Sequence, residues 1–229
     1  MSAVKLNVEP LDVHFVLKDK IYDAMRHAIT GMNIYAGEGE PRLDERQISL
    51  ELGVSRTPVR EAIARLEQEG LVRTVPRKGV FVVRKSKAEI LEMILVWAAL
   101  ESMAARLVIE RATDDEIATL RALFGDFSGG GMDARIDEYS ETNIKFHQAI
   151  LRMSRSALLW QMAENLFIHM RAIRRKTIAE DRRAERSIID HMNIIQALER
   201  RETELAERLV RQHTLDLAAH VERNVHYLD

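Results

Sequence analysis

The spacing of hydrophobic residues changes character once along this chain. Up to about residue 85 apolar residues come in short groups separated by Gly and Pro; beyond it they recur every three to four positions with little interruption. Gly and Pro cluster between Gly31 and Pro41, around Gly53, at Gly70 and from Pro76 to Gly79, and the later break of note is the triplet Gly129 to Gly131. The first part therefore predicts short elements: helices over roughly 17–31, 44–51 and 56–68, then a hairpin in which LVRTV and VFVV flank the turn PRKG. The second part predicts six helices. SKAEILEMILVWAALESMAARLVIERA opens with Ser86 and a Glu three residues later, and TDDEIATLRALFGDF opens with Thr113 three before Glu116, both at capping-box spacing. The other four run from about Met132 to Met153, Ser156 to Thr177, Ala184 to Arg200 and Glu202 to Val225. Such a series packs most simply as one antiparallel bundle.

One short helix has an unusual front end. In GVSRTPVREAIARLEQEGLV, Val59, Ile63 and Leu66 make a buried stripe, while Arg56 and Arg60, four apart, share the other face near the helix start. Ser55 stands where it can cap, and Pro58 falls in the first turn, where its missing N–H costs nothing. The N-terminus of a helix exposes unpaired N–H groups and the positive end of the macrodipole, which suits a phosphate. With DERQISLEL before it and the tight turn Gly53-Val54 between, the pair has the plan of a helix-turn-helix, and the hairpin after it, with Arg77 and Lys78 at its tip, fits as a wing. Arginine on such a helix pairs with phosphate or, bidentately, with guanine. The fold class expected is thus mainly α: a winged helix-turn-helix over 1–85 and a six-helix bundle over 86–229.

Charge agrees with this division. The 229 residues carry a formal net charge of -2, yet Arg42 to Lys85 holds ten Lys+Arg against six Asp+Glu, a local excess of four facing an acidic remainder. With no cysteine there is no disulfide framework and no thiolate metal site or nucleophile, so a metal must use His, Asp, Glu or Asn. The longest apolar run, near Ile94 to Leu100, is too short to cross a bilayer, and MSAVKLNVEP has no hydrophobic leader, so the expectation is a cytoplasmic protein without membrane partners.

Of eight histidines, His14, His27, His220 and His226 read as solvated, and His169, among Phe167, Ile168 and Met170, as a core residue. His147, His191 and His213 differ: they sit on three different helices, each in apolar company. A buried unpaired imidazole costs about 1 to 3 kcal/mol, so three inward histidines call for a shared partner, and a metal supplies one.

The run LDERQISLELGVSRTPVREAIARLEQEGLVRTVPRKG, Leu43 to Gly79, resembles the winged helix-turn-helix of the GntR family of bacterial transcription regulators. The resemblance implies DNA contacts at Arg46 on the second helix, at Arg56, Thr57 and Arg60 on the recognition helix, and at Gly79 with its wing neighbours Arg77 and Lys78. The helical remainder resembles the FCD effector domain of the FadR-like branch, six helices rather than seven pointing to the VanR-like subgroup. Many FCD domains carry an Asp four residues before the first of three histidines; here Asn143 stands four before His147, so the implied metal ligands are Asn143, His147, His191 and His213. An Asn carbonyl brings no charge, which weakens cation binding, and with three imidazoles it favours zinc, with nickel or manganese as further candidates, over calcium or magnesium. A second departure lies in WAALE, where Trp97 takes the place of an Arg that receives an effector carboxylate in such domains. Trp97 is either plain core packing or the wall of a pocket for a flat, aromatic ligand.

The function expected is a ligand-responsive regulator, in the first instance a repressor, bound as a homodimer to a palindromic operator in double-stranded DNA and released by a small carboxylate effector held near the metal. Two other classes compete: a metal-dependent hydrolase using the three-His site, for which Asp190 and Asp216 are the nearby carboxylates, and a constitutive architectural DNA binder. No catalytic residue is assigned.

Overall fold

The computed structural model describes residues 13–35, 39–125, 136–178, 180, 183–226 and 228. The Gly129 to Gly131 triplet, the N-terminal segment MSAVKLNVEP and the expected helix start at Met132 lie outside them. The chain divides into two compact units between Arg84 and Lys85.

In the first unit, α1 (Val13–Gly31) packs on α3 (Arg56–Gln68), with α2 (Glu45–Glu51) beside α3. Ile21, Met25 and Ile29 of α1 and Val59, Ile63 and Leu66 of α3 are buried, the stripe that the period of α3 demands. Asp44 caps α2, its carboxylate accepting from the backbone N–H of Arg46 and Gln47 at 2.8 and 3.1 Å. Ser55 does hold the N-cap position of α3, but its hydroxyl makes no capping bond, so the expected side-chain cap is not formed. Both helices of the motif end in the same device. Gly53 (φ 65°) and Gly70 (φ 73°) adopt the left-handed conformation, and the paired bonds Gly53 N to Leu50 O with Val54 N to Ser49 O, and Gly70 N to Glu67 O with Leu71 N to Leu66 O, are Schellman closures. That is why α3 ends in Glu-Gly-Leu: the glycine turns the chain and Leu71 folds back into the core.

The wing is a three-stranded antiparallel sheet rather than the expected hairpin alone. β2 (Val72–Val75) pairs with β3 (Gly79–Val82), Val72 opposite Val82, and β1 (Arg42–Leu43) pairs with the other edge of β3, Arg42 opposite Phe81. Two residues are too few to leave a periodic signature, so β1 was invisible in the sequence.

The second unit contains α4 (Lys87–Arg111), α5 (Asp114–Ala122), α6 (Ile136–Met153), α7 (Ala157–Thr177), α8 (Arg183–Glu199) and α9 (Thr203–Asn224). Both expected capping boxes are present, Ser86 with Glu89 and Thr113 with Glu116. α4 runs through the middle, packed against α6, α7 and along α9, which explains why Ile90, Ile94, Trp97, Ala98, Ala104, Ala105 and Val108 are all buried. α8 packs against α9 and α5. The α8–α9 corner is closed by a left-handed arginine, Arg201 (φ 58°), whose guanidinium donates to the carbonyls of Ile109 at 2.8 Å and Ala112 at 2.9 Å and so finishes the C-terminus of α4.

Candidate nucleic-acid interface and candidate metal centre

On the first unit, Arg46, Arg56, Thr57, Arg60, Arg77 and Lys78 are all exposed. Arg46, Arg56, Arg77 and Lys78 have no intramolecular ion pair among the described residues, whereas Arg60 donates to Glu45 Oε2 at 2.7 Å. Other cations of the unit are tied to its own carboxylates: Arg65 to Asp19 at 3.1 Å and Arg73 to Glu40 at 2.6 Å. The charge excess thus resolves into a few uncommitted side chains at the start of α3, on α2 and on the wing tip. At that tip Lys78 N bonds Val75 O at 3.0 Å, and the residue with positive φ inside the turn is Arg77 (φ 63°), following Pro76. Gly79 (φ 117°) lies just after the turn, in a backbone conformation that favours glycine, and an added Cβ would stand 3.0 Å from the mobile end of the Arg42 side chain. An arginine held left-handed costs about 1 to 2 kcal/mol.

In the bundle, α6 brings in Asn143 and His147, α8 brings His191 and α9 brings His213; the four are 1, 1, 0 and 6% exposed. One ring nitrogen from each histidine lies within 4.8 Å of the others. The hydrogen bonds sort the nitrogens into two sets. Each Nδ1 has a partner: Glu101 Oε1 at 2.5 Å for His147, the Tyr139 hydroxyl at 3.2 Å for His191 and Asp190 Oδ2 at 3.1 Å for His213. Each Nε2 is buried without one, as is Asn143 Oδ1. With the protons on Nδ1, the rings donate outward and turn three lone pairs toward one another, the arrangement that carboxylate and carbonyl partners impose on metal-binding histidines. Burial pushes all three toward the neutral form. His147 is pushed down to about 4 by burial and by Arg174, His191 falls well below the ordinary value through burial and its two histidine neighbours, and His213 falls less because Asp190 opposes the shift. Three neutral imidazoles and an amide oxygen, all unsatisfied, fit a borderline divalent cation.

Glu101 is the residue that sequence reasoning did not single out. It is fully buried on α4; burial alone would raise its pKa, but His147, Arg174 and Thr214 together hold it below the ordinary carboxylate range. Its second oxygen accepts from Thr214 Oγ1 at 2.7 Å and lies 3.8 Å from Arg174 Nη2. A signal existed in the sequence: Glu101 is the acidic residue inside an otherwise apolar stretch of α4, WAALESMAA. Trp97, one turn earlier, is buried with its ring 5.8 Å from Phe167 and its indole N–H unpartnered.

Beside His213 a cavity of about 530 Å³ opens between α8 and α9. Trp97 is not among its lining residues. Asp190 reaches it already engaged with His213, and Asp216 is exposed and accepts from Gln212 at 2.8 Å, so neither stands as a general base over the imidazoles. His220 corrects another expectation. It is 4% exposed, with Nε2 2.7 Å from Glu180 Oε2 and Nδ1 3.0 Å from Asn224, because seven residues after His213 is the same face of α9. His27 and His226 are exposed, and His169 is buried and pushed down to about 4 by burial.

Comparison with known proteins agrees with both units. Residues 17–82 match the family described as bacterial regulatory proteins, gntR family, and residues 92–216 match the FCD domain. The chain is 26% identical over 205 residues to the HTH-type transcriptional repressor RspR of Escherichia coli K12, covering 90% of this chain and 89% of that protein. It is 32% identical over 172 residues to the HTH-type transcriptional repressor GlaR of the same organism, covering 72% and 77%. Among solved structures, E. coli McbR/YncC shares the fold with a TM-score of 0.74 at 23% identity, over 90% of this chain and 97% of that one. A GntR regulator from Rhodococcus sp. RHA1 gives 0.71 at 21% identity, over 91% and 99%.

Proposed function

The chain belongs to the GntR family of bacterial regulatory proteins, with an FCD domain behind its winged helix-turn-helix, and from that premise we propose a metal-dependent, effector-released repressor. It is a DNA-binding transcriptional regulator. Its recognition helix α3 enters the major groove N-terminus first, with Arg56 and Thr57 at the base edges, Arg60 at a base or phosphate after leaving Glu45, Arg46 on the backbone, and Arg77, Lys78 and Gly79 lying along the neighbouring strand. Two copies related by a two-fold axis read a palindromic site with half-sites about 34 Å apart. The homodimer is supported by an unpartnered apolar strip on α4, where Leu95, Val96 and Met103 are 56, 49 and 48% exposed. A second copy covers such a strip economically.

The metal reading rests on one observation: three buried Nε2 atoms and the buried Asn143 oxygen have no partner while every Nδ1 is engaged, and one ring nitrogen of each histidine lies within 4.8 Å of the others. Zinc is the first candidate, with nickel and manganese next. When bound, the ion supplies a Lewis-acid position for an effector carboxylate. The chain's own residues do the rest: Glu101, Tyr139 and Asp190 fix the ring tautomers, the bundle excludes water, and the α8–α9 cavity admits the ligand beside His213. An effector that prefers one arrangement of the dimer shifts the population away from operator binding.

The test is a gel shift of purified protein on duplex from its own promoter region, with excess nonspecific DNA, before and after chelation, alongside metal analysis. A discrete complex lost in Arg56→Ala and one metal per chain lost in His191→Ala support the reading. Operator affinity unchanged in Arg56→Ala, or a stoichiometric metal retained by His191→Ala, overturns it.

A further inference from the structure

The cavity beside His213 has two chemically different ends. Its inner end is the His213–Asp190 pair. Along α8 and α9, away from that pair, the polar positions recur on facing stripes: Arg183 and Arg186 on α8, His220 and Arg223 on α9. From His213 to His220 and Arg223 is about 10 and 15 Å along a helix axis. The carboxylates on this lining are Asp190, engaged with His213, and Asp216, turned to Gln212. The outer end is therefore cationic, and one feature shows what it accepts. The side chain of Glu180 already places a carboxylate oxygen 2.7 Å from His220 Nε2.

We infer that this outer end is a second anion subsite, and that the effector is a doubly charged acid with one acid group beside His213 and the other among Arg183, Arg186, His220 and Arg223. This rests on the effector reading above and narrows it: a flat aromatic monocarboxylate, which Trp97 suggested, brings no second acid group to the arginine end. The guanidiniums press on one another. Arg183 is pushed down to about 10, chiefly by burial and then by Arg174 and Arg186, with Glu180 opposing, so the cluster gains from a further negative charge. Arg183 is also anchored through Nη1 on the Thr177 hydroxyl, and Arg223 donates through Nε to Ala219 O at 3.0 Å, so that the bonds to Thr177 and Ala219 do not use Nη2 of Arg183 or either terminal nitrogen of Arg223. A planar fork suits a carboxylate or a phosphate equally. The span between the ends asks for an acid of roughly four to eight carbons.

Calorimetry on the full, metal-loaded protein tests this with succinate, adipate and suberate against hexanoate and benzoate, and with 3-phosphoglycerate to separate a phosphate from a carboxylate at the outer end. The expected result is at least a tenfold advantage of one diacid over both monoacids, reduced to about threefold or less in Arg186→Gln/Arg223→Gln, whose exposed side chains leave the fold intact; Arg183→Gln serves as the partly buried comparison. Equal affinity for hexanoate or benzoate, a diacid advantage that survives the double variant, or no binding by any diacid or by 3-phosphoglycerate overturns the subsite. The gel shift separates this from the parent reading. A diacid bound with the expected charge preference that leaves the operator complex intact removes the effector role and keeps the subsite, whereas release by a monoacid does the reverse.

Discussion

The two units of this protein use polar residues in opposite ways. In the DNA-binding unit the candidate groups are long cations on the surface, of which Arg60 alone is paired with a carboxylate of the unit among the described residues, and the interior is mostly apolar. In the effector unit the candidate groups are inside: Asn143, Glu101, Arg174 and three histidines are buried, with the Asn143 oxygen and each Nε2 left without a partner. A surface site is sequence-local, since one helix, one turn and one wing carry all of it. An interior site belongs to no single element, since α4, α6, α8 and α9 each bring a part. The first should therefore respond to single substitutions with little effect on stability, and the second should respond through stability as well as through binding.

Metal removal is the largest expected effect. A ligand at a thousand times its Kd contributes about 4 kcal/mol, which in a domain of this size raises Tm on the order of 10 °C. Thermal melts with and without chelator should show that increment in the wild type and lose it in His191→Ala. Next, Arg56→Ala should cost about 1 to 3 kcal/mol of operator binding with Tm unchanged, and Arg60→Ala should cost less, because Arg60 must give up Glu45 in order to bind. Fluorescence anisotropy on one duplex ranks the two, and an equal loss would show that the Glu45 pair does not persist in solution.

A smaller effect tests the interior apart from the metal. His169 has a folded pKa of about 4 against an ordinary 6.5, so its neutral form contributes stability that is full above 6.5 and lost as pH falls toward 4. Between pH 7 and pH 5 this amounts to about 2 kcal/mol, measurable as the part of the fall in urea midpoint that His169→Gln should remove, the buried histidines of the bundle centre adding their own. Smallest, Arg77→Gly should relieve the left-handed strain at the wing tip, changing stability by no more than about 1 kcal/mol, while lowering the slope of log affinity against log salt by about 1. An unchanged slope would remove Arg77 from the phosphate contacts.

The same contrast governs what could be read from the sequence. The recognition helix was legible because Arg56, Pro58 and Arg60 speak through spacing on one helix, and the capping boxes at Ser86 and Thr113 marked helix starts to the residue. The inward histidines were legible from their apolar neighbours. Their Nδ1 partners were not, because Glu101, Tyr139 and Asp190 reach them across 46, 52 and 23 residues of chain. His220 was misjudged because its local sequence is polar, although its seven-residue distance from His213 placed it inward. Strand β1 and the left-handed arginines at 77 and 201 left no composition signal, since such positions normally announce themselves by glycine.

The carboxylate of Glu101 holds His147 of α6 and Thr214 of α9 at once. It sits on a helix whose first residue, Lys87, follows the end of the DNA-binding unit by three residues. Fourteen residues separate Glu101 from Lys87, about 21 Å of rigid rod. A tilt of about 5° with that carboxylate as fulcrum would carry the near end of the rod by roughly 2 Å. Were α4 to tilt in this way, a slight rearrangement around the imidazoles would be felt as a displacement at Lys87.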